Sequence, residues 1–210
     1  MDEPEPDAAE AEQLLAQLRA GDHQAFDRLF ACYRPAVRRF VALRLDPRLR
    51  PRVDPSDVVQ ETHLEALHRL PDFLERRPMP FRLWLLKTAY ERLLKVRRHH
   101  VETARRSVAR EVPLPEESSL LLAEQLQAAG SSPSEHLVRG ELVRRVRQVL
   151  AQLPELDREI LLLRFFEGQS YEEVSCVLGI DAATARKRFG RALLRLRQLL
   201  FDTGLGEPSP

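Results

Sequence analysis

The sequence predicts an all-α protein built from two small helical domains that a flexible linker joins. Apolar residues recur at three- and four-residue spacing over most of the 210-residue chain, and strand-like alternation is absent. A segment rich in Pro, Ser, Glu, Leu and Ala keeps no such period. Near the C-terminus, a capped helix, a glycine and a second helix follow one another as in a helix-turn-helix. The chain is thus divided into a disordered acidic N-terminus, a first domain, the linker, a second domain and a disordered tail, at residues 1–9, 10–102, 103–133, 134–202 and 203–210.

Charge is segregated along the chain, although the net charge is only +1. Residues 1–12 carry six acids and no base, and residues 76–110 carry eleven bases against two acids. Residues 111–135 carry five acids and no base. This pattern indicates two basic surfaces separated by an acidic connector, as expected of a chain that meets nucleic acid at two places.

No cofactor, metal or catalytic site is predicted. Cys32 and Cys176 lie singly inside helical patterns and are interpreted as buried apolar residues. The six histidines lack metal-ligand spacing, and there is no Gly-rich phosphate loop or nucleophile elbow. No signal peptide or apolar run of spanning length is found, so we expect a cytoplasmic protein without membrane contact.

The first domain begins with two helices. Leucines at helical spacing predict a helix from Glu10 to Ala20, which Gly21 ends. Asp22 is expected to cap a longer helix with a kink at Pro35.

The third helix is predicted from its start signal, Asp54 followed by Pro55, and runs to Leu70. A rigid loop from Pro71 to Pro80 is expected after it. The apolar stripe of this helix leaves four polar residues near or on the outer face, which a solvated surface would explain equally well. They are Asp57, Gln60, Glu61 and Glu65.

A fourth helix, from Phe81 to about His100, carries aromatic residues between cations. Single-stranded DNA binding needs this combination, because bases stack on rings while cations follow the backbone. The spacing of Phe81 and Trp84 instead favours burial in the core, and the spacing does not decide between core and surface for Tyr90. The cations at the C-terminal end of the helix are better candidates for a nucleic-acid surface. The candidate DNA-binding residues are Lys87, Tyr90, Lys95, Arg97 and Arg98.

The second domain contains the helix-turn-helix. Ser170 is expected to cap a short helix that ends at Gly179, and Asp181 to cap the next helix. Six cations and no acid lie between Ala182 and Leu200, on the face opposite an apolar stripe. A solvated helix with surface arginines remains the alternative to a helix set in a major groove. The candidate DNA-binding residues here are Thr184, Arg186, Lys187, Arg188, Arg191 and Arg195.

Three motifs in order resemble a bacterial RNA polymerase sigma factor of the extracytoplasmic-function (ECF) group. They are DPSDVVQETHLEALHRL, FRLWLLKTAY and LPELDREILLLRFFEGQSYEEVSCVLGIDAATARKRFGRALLRLR. The resemblance covers nearly the whole chain and implies sigma region 2 and region 4 with a flexible linker between them. One departure concerns the first domain, where Glu91 stands at a position that is often asparagine in the family and would repel phosphate.

The resemblance also implies the partners. Asp57, Gln60 and Glu61 would contact the clamp helices of the largest subunit of core RNA polymerase, and the second-largest subunit would contribute its flap. The first domain would bind the melted minus-ten element, and the second would bind the minus-thirty-five element as duplex promoter DNA. An anti-sigma protein is a further partner that the family allows.

Two other functions remain open at this stage. An autonomous, dimeric helix-turn-helix regulator would bind duplex DNA, but it would have no use for the D-V-V-Q-E helix. An adaptor that holds a sigma-like partner would leave the basic helix without a role.

Overall fold

The computed structural model describes residues 8–45, 49, 51–106 and 148–202. Within those ranges every regular element is an α-helix, which confirms the predicted fold class. The chain divides into two compact units, Met1–Pro115 and Glu116–Pro210. The helices of the first unit are α1 (Ala8–Arg19), α2 (Gln24–Arg44), α3 (Pro55–Arg76) and α4 (Phe81–Arg106). The second unit has a helical segment at residues 148–152, followed by α5 (Glu155–Phe165), α6 (Tyr171–Leu178) and α7 (Ala182–Asp202).

Several predicted boundaries shift or cannot be compared. Helix α1 begins at Ala8, inside the N-terminal segment expected to be disordered, and α4 continues to Arg106, inside the expected linker. No proline or glycine stands between Arg82 and Arg106 to end that helix. The rest of the expected linker, the start of the second domain and the two terminal segments lie outside the described residues, at 107–133, 134–147, 1–7 and 203–210.

Helix α3 begins as predicted and ends later than predicted. The side chain of Asp54 accepts a hydrogen bond from the Ser56 amide at 2.6 Å, with Pro55 in the first turn. The loop expected from Pro71 was wrong over residues 71–76, where α3 continues through the proline. The reason is tertiary packing, because Phe73 is buried and stacks on Trp84 with ring centroids 4.5 Å apart. Burial of that ring outweighs the one backbone hydrogen bond that a proline removes.

The core of the first unit is built on α2, against which α1, α3 and α4 all pack. Phe26, Phe40 and Leu85 are fully buried there. Trp84 is also buried, so the core is its place and it is not available to stack on bases. Helix α2 continues through Pro35. Its N-cap is His23, which makes no side-chain cap bond, and the residue expected to cap it, Asp22, stands one position earlier and accepts a hydrogen bond from the Gln24 amide at 3.0 Å.

The helix-turn-helix forms with its predicted caps. Ser170 Oγ accepts from the Glu173 amide at 3.1 Å, while the Glu173 carboxylate accepts from the Ser170 amide at 2.7 Å, a complete capping box. Gly179 ends α6 with a φ of +67°, the left-handed backbone that glycine adopts most easily. Asp181 Oδ1 accepts from the Thr184 amide at 2.7 Å and so caps α7.

Helix α7 lies against both α5 and α6 within the second unit. Its apolar stripe faces inward as predicted, with Ala185 and Ala192 fully buried and Phe189 partly buried. Leu150, Leu153 and Leu161 pack beside Ala192. In the part of the chain that the structure describes, no helix is both long and apolar enough to cross a membrane.

Candidate nucleic-acid interface

Five of the six cations of α7 fall into two sets that the sequence could not separate. Arg186, Lys187 and Arg191 are exposed in the N-terminal half of the helix, on the side away from the core. Arg188 and Arg195 instead turn toward α5, where both bind Asp157. Of these five cations, the three in the first set are exposed and form no ion pair among the described contacts.

Asp157 lies in the first turn of α5 with only 2% of its side chain exposed. Arg188 Nη1 donates to Asp157 Oδ1 at 2.9 Å, and Arg195 Nη1 donates to Asp157 Oδ2 at 2.7 Å. Each carboxylate oxygen therefore has its own guanidinium partner, which is the compensation that a buried charge requires. Sequence reasoning missed this residue. The available signal was the position of Asp157 three and four residues before Ile160 and Leu161, which places this acid on the buried face of α5.

An aromatic ring fixes the junction between α6 and α7. The guanidinium of Arg186 lies 5.1 Å from the centre of the Tyr171 ring, and that of Arg164 lies 4.5 Å from it. Tyr171 also meets Phe189 edge to face, with ring centroids 5.9 Å apart. The contacts of Tyr171 with Arg186 and Phe189 hold the first turn of α6 against the N-terminal half of α7, and the contact with Arg164 ties it to α5. Arg186 is thereby oriented while its charge remains exposed.

Thr184 takes part in the cap of α7. Its hydroxyl donates to Asp181 Oδ2 at 2.6 Å, in addition to the bond from its amide. The hydrogen bond from the Thr184 hydroxyl, followed by that from the amide, lowers the pKa of the Asp181 carboxyl. With its proton committed to Asp181, the Thr184 hydroxyl offers only its oxygen lone pairs to another molecule.

The predicted DNA-binding residues of the first unit, four cations and Tyr90, are spread along α4. Lys95 and Arg98 are exposed, whereas Lys87, Tyr90 and Arg97 are half-buried. All five residues thus lie on one helix, and Lys95 and Arg98, in its C-terminal half, are the most exposed of them.

The acidic departure at Glu91 is partly compensated within the first unit. Glu91 Oε2 accepts from Arg69 Nη1 at 2.6 Å, and Arg69 Nε also pairs with Glu65 Oε1 at 2.8 Å. The bond with Glu91 raises the pKa of Arg69. Arg69 is shared between Glu65 and Glu91, so it offsets part of the negative charge of Glu91 and reduces the repulsion of phosphate.

The outer face of α3 carries the three residues expected to contact polymerase. Asp57, Gln60 and Glu61 are all exposed, and Leu64 follows at helical spacing with 64% of its surface exposed. Glu61 forms an ion pair with Arg92 of α4. Polar residues thus surround an exposed leucine on one side of α3.

A groove of about 330 Å³ runs between α3 and α4 at this point. Asp57 and Glu61 line its α3 side, and Arg92, Lys95 and His99 line its α4 side. The structure therefore brings an expected DNA-binding residue, Lys95, next to two expected polymerase contacts.

Two family models match the chain. One is Sigma-70 region 2, over residues 29–103, and the other is Sigma-70, region 4, over residues 144–196. The ECF RNA polymerase sigma factor SigD of Mycobacterium tuberculosis is 30% identical over 191 residues, covering 91% of this chain and 84% of that protein. The RNA polymerase sigma-H factor of Pseudomonas aeruginosa is 29% identical over 181 residues, covering 86% and 89%.

Solved structures are also similar. CnrH, in complex with the cytosolic domain of CnrY, has a TM-score of 0.60 and 25% identity, covering 92% of this chain and 98% of that one. RpoE of Bartonella quintana, in complex with the anti-sigma factor NepR, has a TM-score of 0.56 and 21% identity, covering 84% and 96%. The second likeness bears on the fold alone.

Proposed function

The chain belongs to the ECF group of bacterial RNA polymerase sigma factors, and we propose which partner each of its exposed helix faces binds. As a member of this group it binds core RNA polymerase and directs transcription initiation at promoters. The alternative of an autonomous dimeric regulator is not favoured, because such a protein would have no use for the region that matches sigma region 2.

The outer face of α3 is the proposed contact with the clamp helices of the largest polymerase subunit. Asp57, Gln60 and Glu61 supply a polar rim, and Leu64 supplies an exposed apolar centre. A large apolar side chain surrounded by polar groups is typical of protein–protein interfaces. Leu64 is therefore added to the three contacts that the sequence indicated.

The N-terminal half of α7 is the proposed reader of the duplex minus-thirty-five element. The observation that carries this assignment is the exposure of Arg186, Lys187 and Arg191 on one side of a capped helix. Arginine and lysine donate to the edges of guanine in the major groove, and both also bind phosphate. Arg188 and Arg195 have a protein partner in Asp157, so base reading is assigned to the exposed set.

Helix α4 is proposed to contact the melted minus-ten element. Lys95 and Arg98 would neutralise backbone phosphates, while Lys87, Tyr90 and Arg97 lie half-buried beside them. The ion pair between Arg69 and Glu91 supports this role, since it offsets part of a carboxylate charge that would otherwise repel phosphate.

The remaining parts of the proposal follow from the family. The protein catalyses no reaction of its own, needs no cofactor and acts in the cytoplasm, and its second domain meets the flap of the second-largest polymerase subunit. The domain boundaries at residues 10–102 and 134–202 remain predictions. Because CnrH was solved with the cytosolic domain of another protein, we include a restraining protein of the anti-sigma kind among the proposed partners.

Transcription by purified core RNA polymerase on a library of genomic promoter fragments tests the proposal. Adding the full chain should start transcripts from a restricted set of fragments that core enzyme alone leaves silent. Omitting the chain is the control. The assignment of α7 as a promoter-binding helix fails if removing Arg186, Lys187 and Arg191 together leaves that set of fragments unchanged.

A further inference from the structure

We propose that Asp157 is a specificity-determining residue, which withholds two cations of α7 from DNA and aims the remaining ones. The inference rests on the proposed function of α7 as the duplex-reading helix. Arg188 and Arg195 bind the two oxygens of this carboxylate at 2.9 and 2.7 Å.

The burial of Asp157 makes its hold on the two arginines strong. Only 2% of its side chain is exposed, whereas the side chains of Arg188 and Arg195 are 39% and 55% exposed. If a DNA phosphate drew either guanidinium away, the buried carboxylate of Asp157 would keep only one of its two cationic partners. Removing one partner of a buried charge costs far more than an exposed ion pair gains. Both cations are therefore retained by the protein in preference to phosphate.

The same contacts position the helix. Arg188 and Arg195 are two turns apart, about 10 Å along the axis, yet both reach one carboxylate on α5. Two bonds that converge from points so far apart restrict both the rotation and the sliding of α7 against α5. Lys187 and Arg191 are thereby presented on a defined side of the helix.

Withholding cations changes the balance between specific and non-specific DNA binding. The logarithm of DNA affinity falls linearly with the logarithm of salt concentration, and each cation that neutralises a phosphate of duplex DNA makes this fall steeper by about 0.9, whatever the sequence. Two retained arginines remove up to about 1.8 from that slope and so weaken binding to random DNA. Base-edge contacts by the exposed cations are unaffected, so promoter discrimination rises.

A matched pair of variants tests the withholding. Arg195→Gln and Arg191→Gln remove the same charge from positions one turn apart on the same helix. The full chain, assembled with core RNA polymerase, is titrated with promoter and random duplexes over a salt series. On random duplex, where Arg191 can only neutralise phosphate, Arg191→Gln should lower the salt slope by about 0.9, and Arg195→Gln should leave it unchanged. An equal fall in both variants would overturn the proposal while leaving α7 on DNA.

Asp157→Asn provides the opposite perturbation. Freeing two arginines should steepen the salt slope, raise affinity for random duplex and lower the promoter-to-random ratio severalfold. An unchanged slope in the folded variant overturns the proposal. If Arg191→Gln and Arg195→Gln both leave the slope unchanged while polymerase binding persists, the assignment of α7 to DNA fails as well. The arginine pair decides the matter even if Asp157→Asn does not fold.

Discussion

Glu61 on α3 forms an ion pair with Arg92 on α4, so the helix proposed to face polymerase is tied to the helix proposed to face melted DNA. Asp57, one turn earlier on α3, lies on the same exposed side and on the same groove without a described ion pair. A charge reversal at Glu61 therefore breaks an ion pair, whereas a reversal at Asp57 breaks no described ion pair.

Asp57→Lys should abolish core polymerase binding in a pull-down and lower stability by less than about 1 kcal/mol, because it replaces an acid in the first turn of α3 but breaks no described ion pair. Glu61→Lys should abolish binding and also destabilise the fold by up to about 1 kcal/mol, since it places two cations together. Glu75→Lys, an exposed reversal about 27 Å along the same helix, is the control. Wild-type recovery of polymerase by Asp57→Lys would refute the docking assignment.

Arg191→Ala and Arg188→Ala should separate DNA reading from stability. We expect Arg191→Ala to cost about 1 to 3 kcal/mol of promoter discrimination if it pairs with a base edge, with little change in unfolding. Arg188→Ala should instead destabilise the second unit by about 1 to 3 kcal/mol, because Asp157 loses one buried bond. Equilibrium unfolding and competition binding with random duplex measure the two effects. Similar profiles for the two variants would contradict the division of the cations.

Gly190→Ala should have opposite effects on stability and binding. An added Cβ meets nothing within 4 Å inside the protein, and alanine is favoured over glycine within a helix by about 1 kcal/mol. Thermal unfolding should therefore occur at higher temperature. Promoter affinity should fall, because Gly190 is exposed beside Arg191 and the new methyl group stands where the duplex approaches. Gly168→Ala is the contrasting control, since its φ of +63° disfavours alanine. A stabilised variant with unchanged promoter affinity would show that α7 does not approach DNA at this point.

The cap of α7 should give stability that disappears in acid. Hydrogen bonds from Thr184 lower the pKa of Asp181 in the folded protein, so its contribution is fully present above the ordinary pKa of this side chain. It is lost as the pH falls below that ordinary pKa and through the lowered pKa of the folded state. Asp181→Asn retains a capping oxygen that does not titrate, and the acid limb of its stability profile should be flatter than that of the wild type. Parallel profiles between pH 7 and strongly acidic pH, taken by urea unfolding, would contradict this linkage.

Local features of the fold could be predicted from the sequence because their causes lie within a few residues. The capping box of Ser170 and Glu173, the left-handed Gly179 and the cap at Asp54 each depend on bonds between near neighbours. The late end of α3 could not be predicted in this way. It depends on Phe73 meeting Trp84, which belongs to the following helix.

The sequence by itself determined the helical class, the turn between α6 and α7 and the family, because periodicity, caps and motif order are properties of the chain. Only the tertiary structure decided which cations of α7 are available to DNA. Asp157 stands 31 and 38 residues from Arg188 and Arg195 and on a different helix. Helical periodicity relates only residues of one helix, so it could not predict these contacts. Their pairing arises when α5 packs on α7, since a buried carboxylate then requires the cations that reach it.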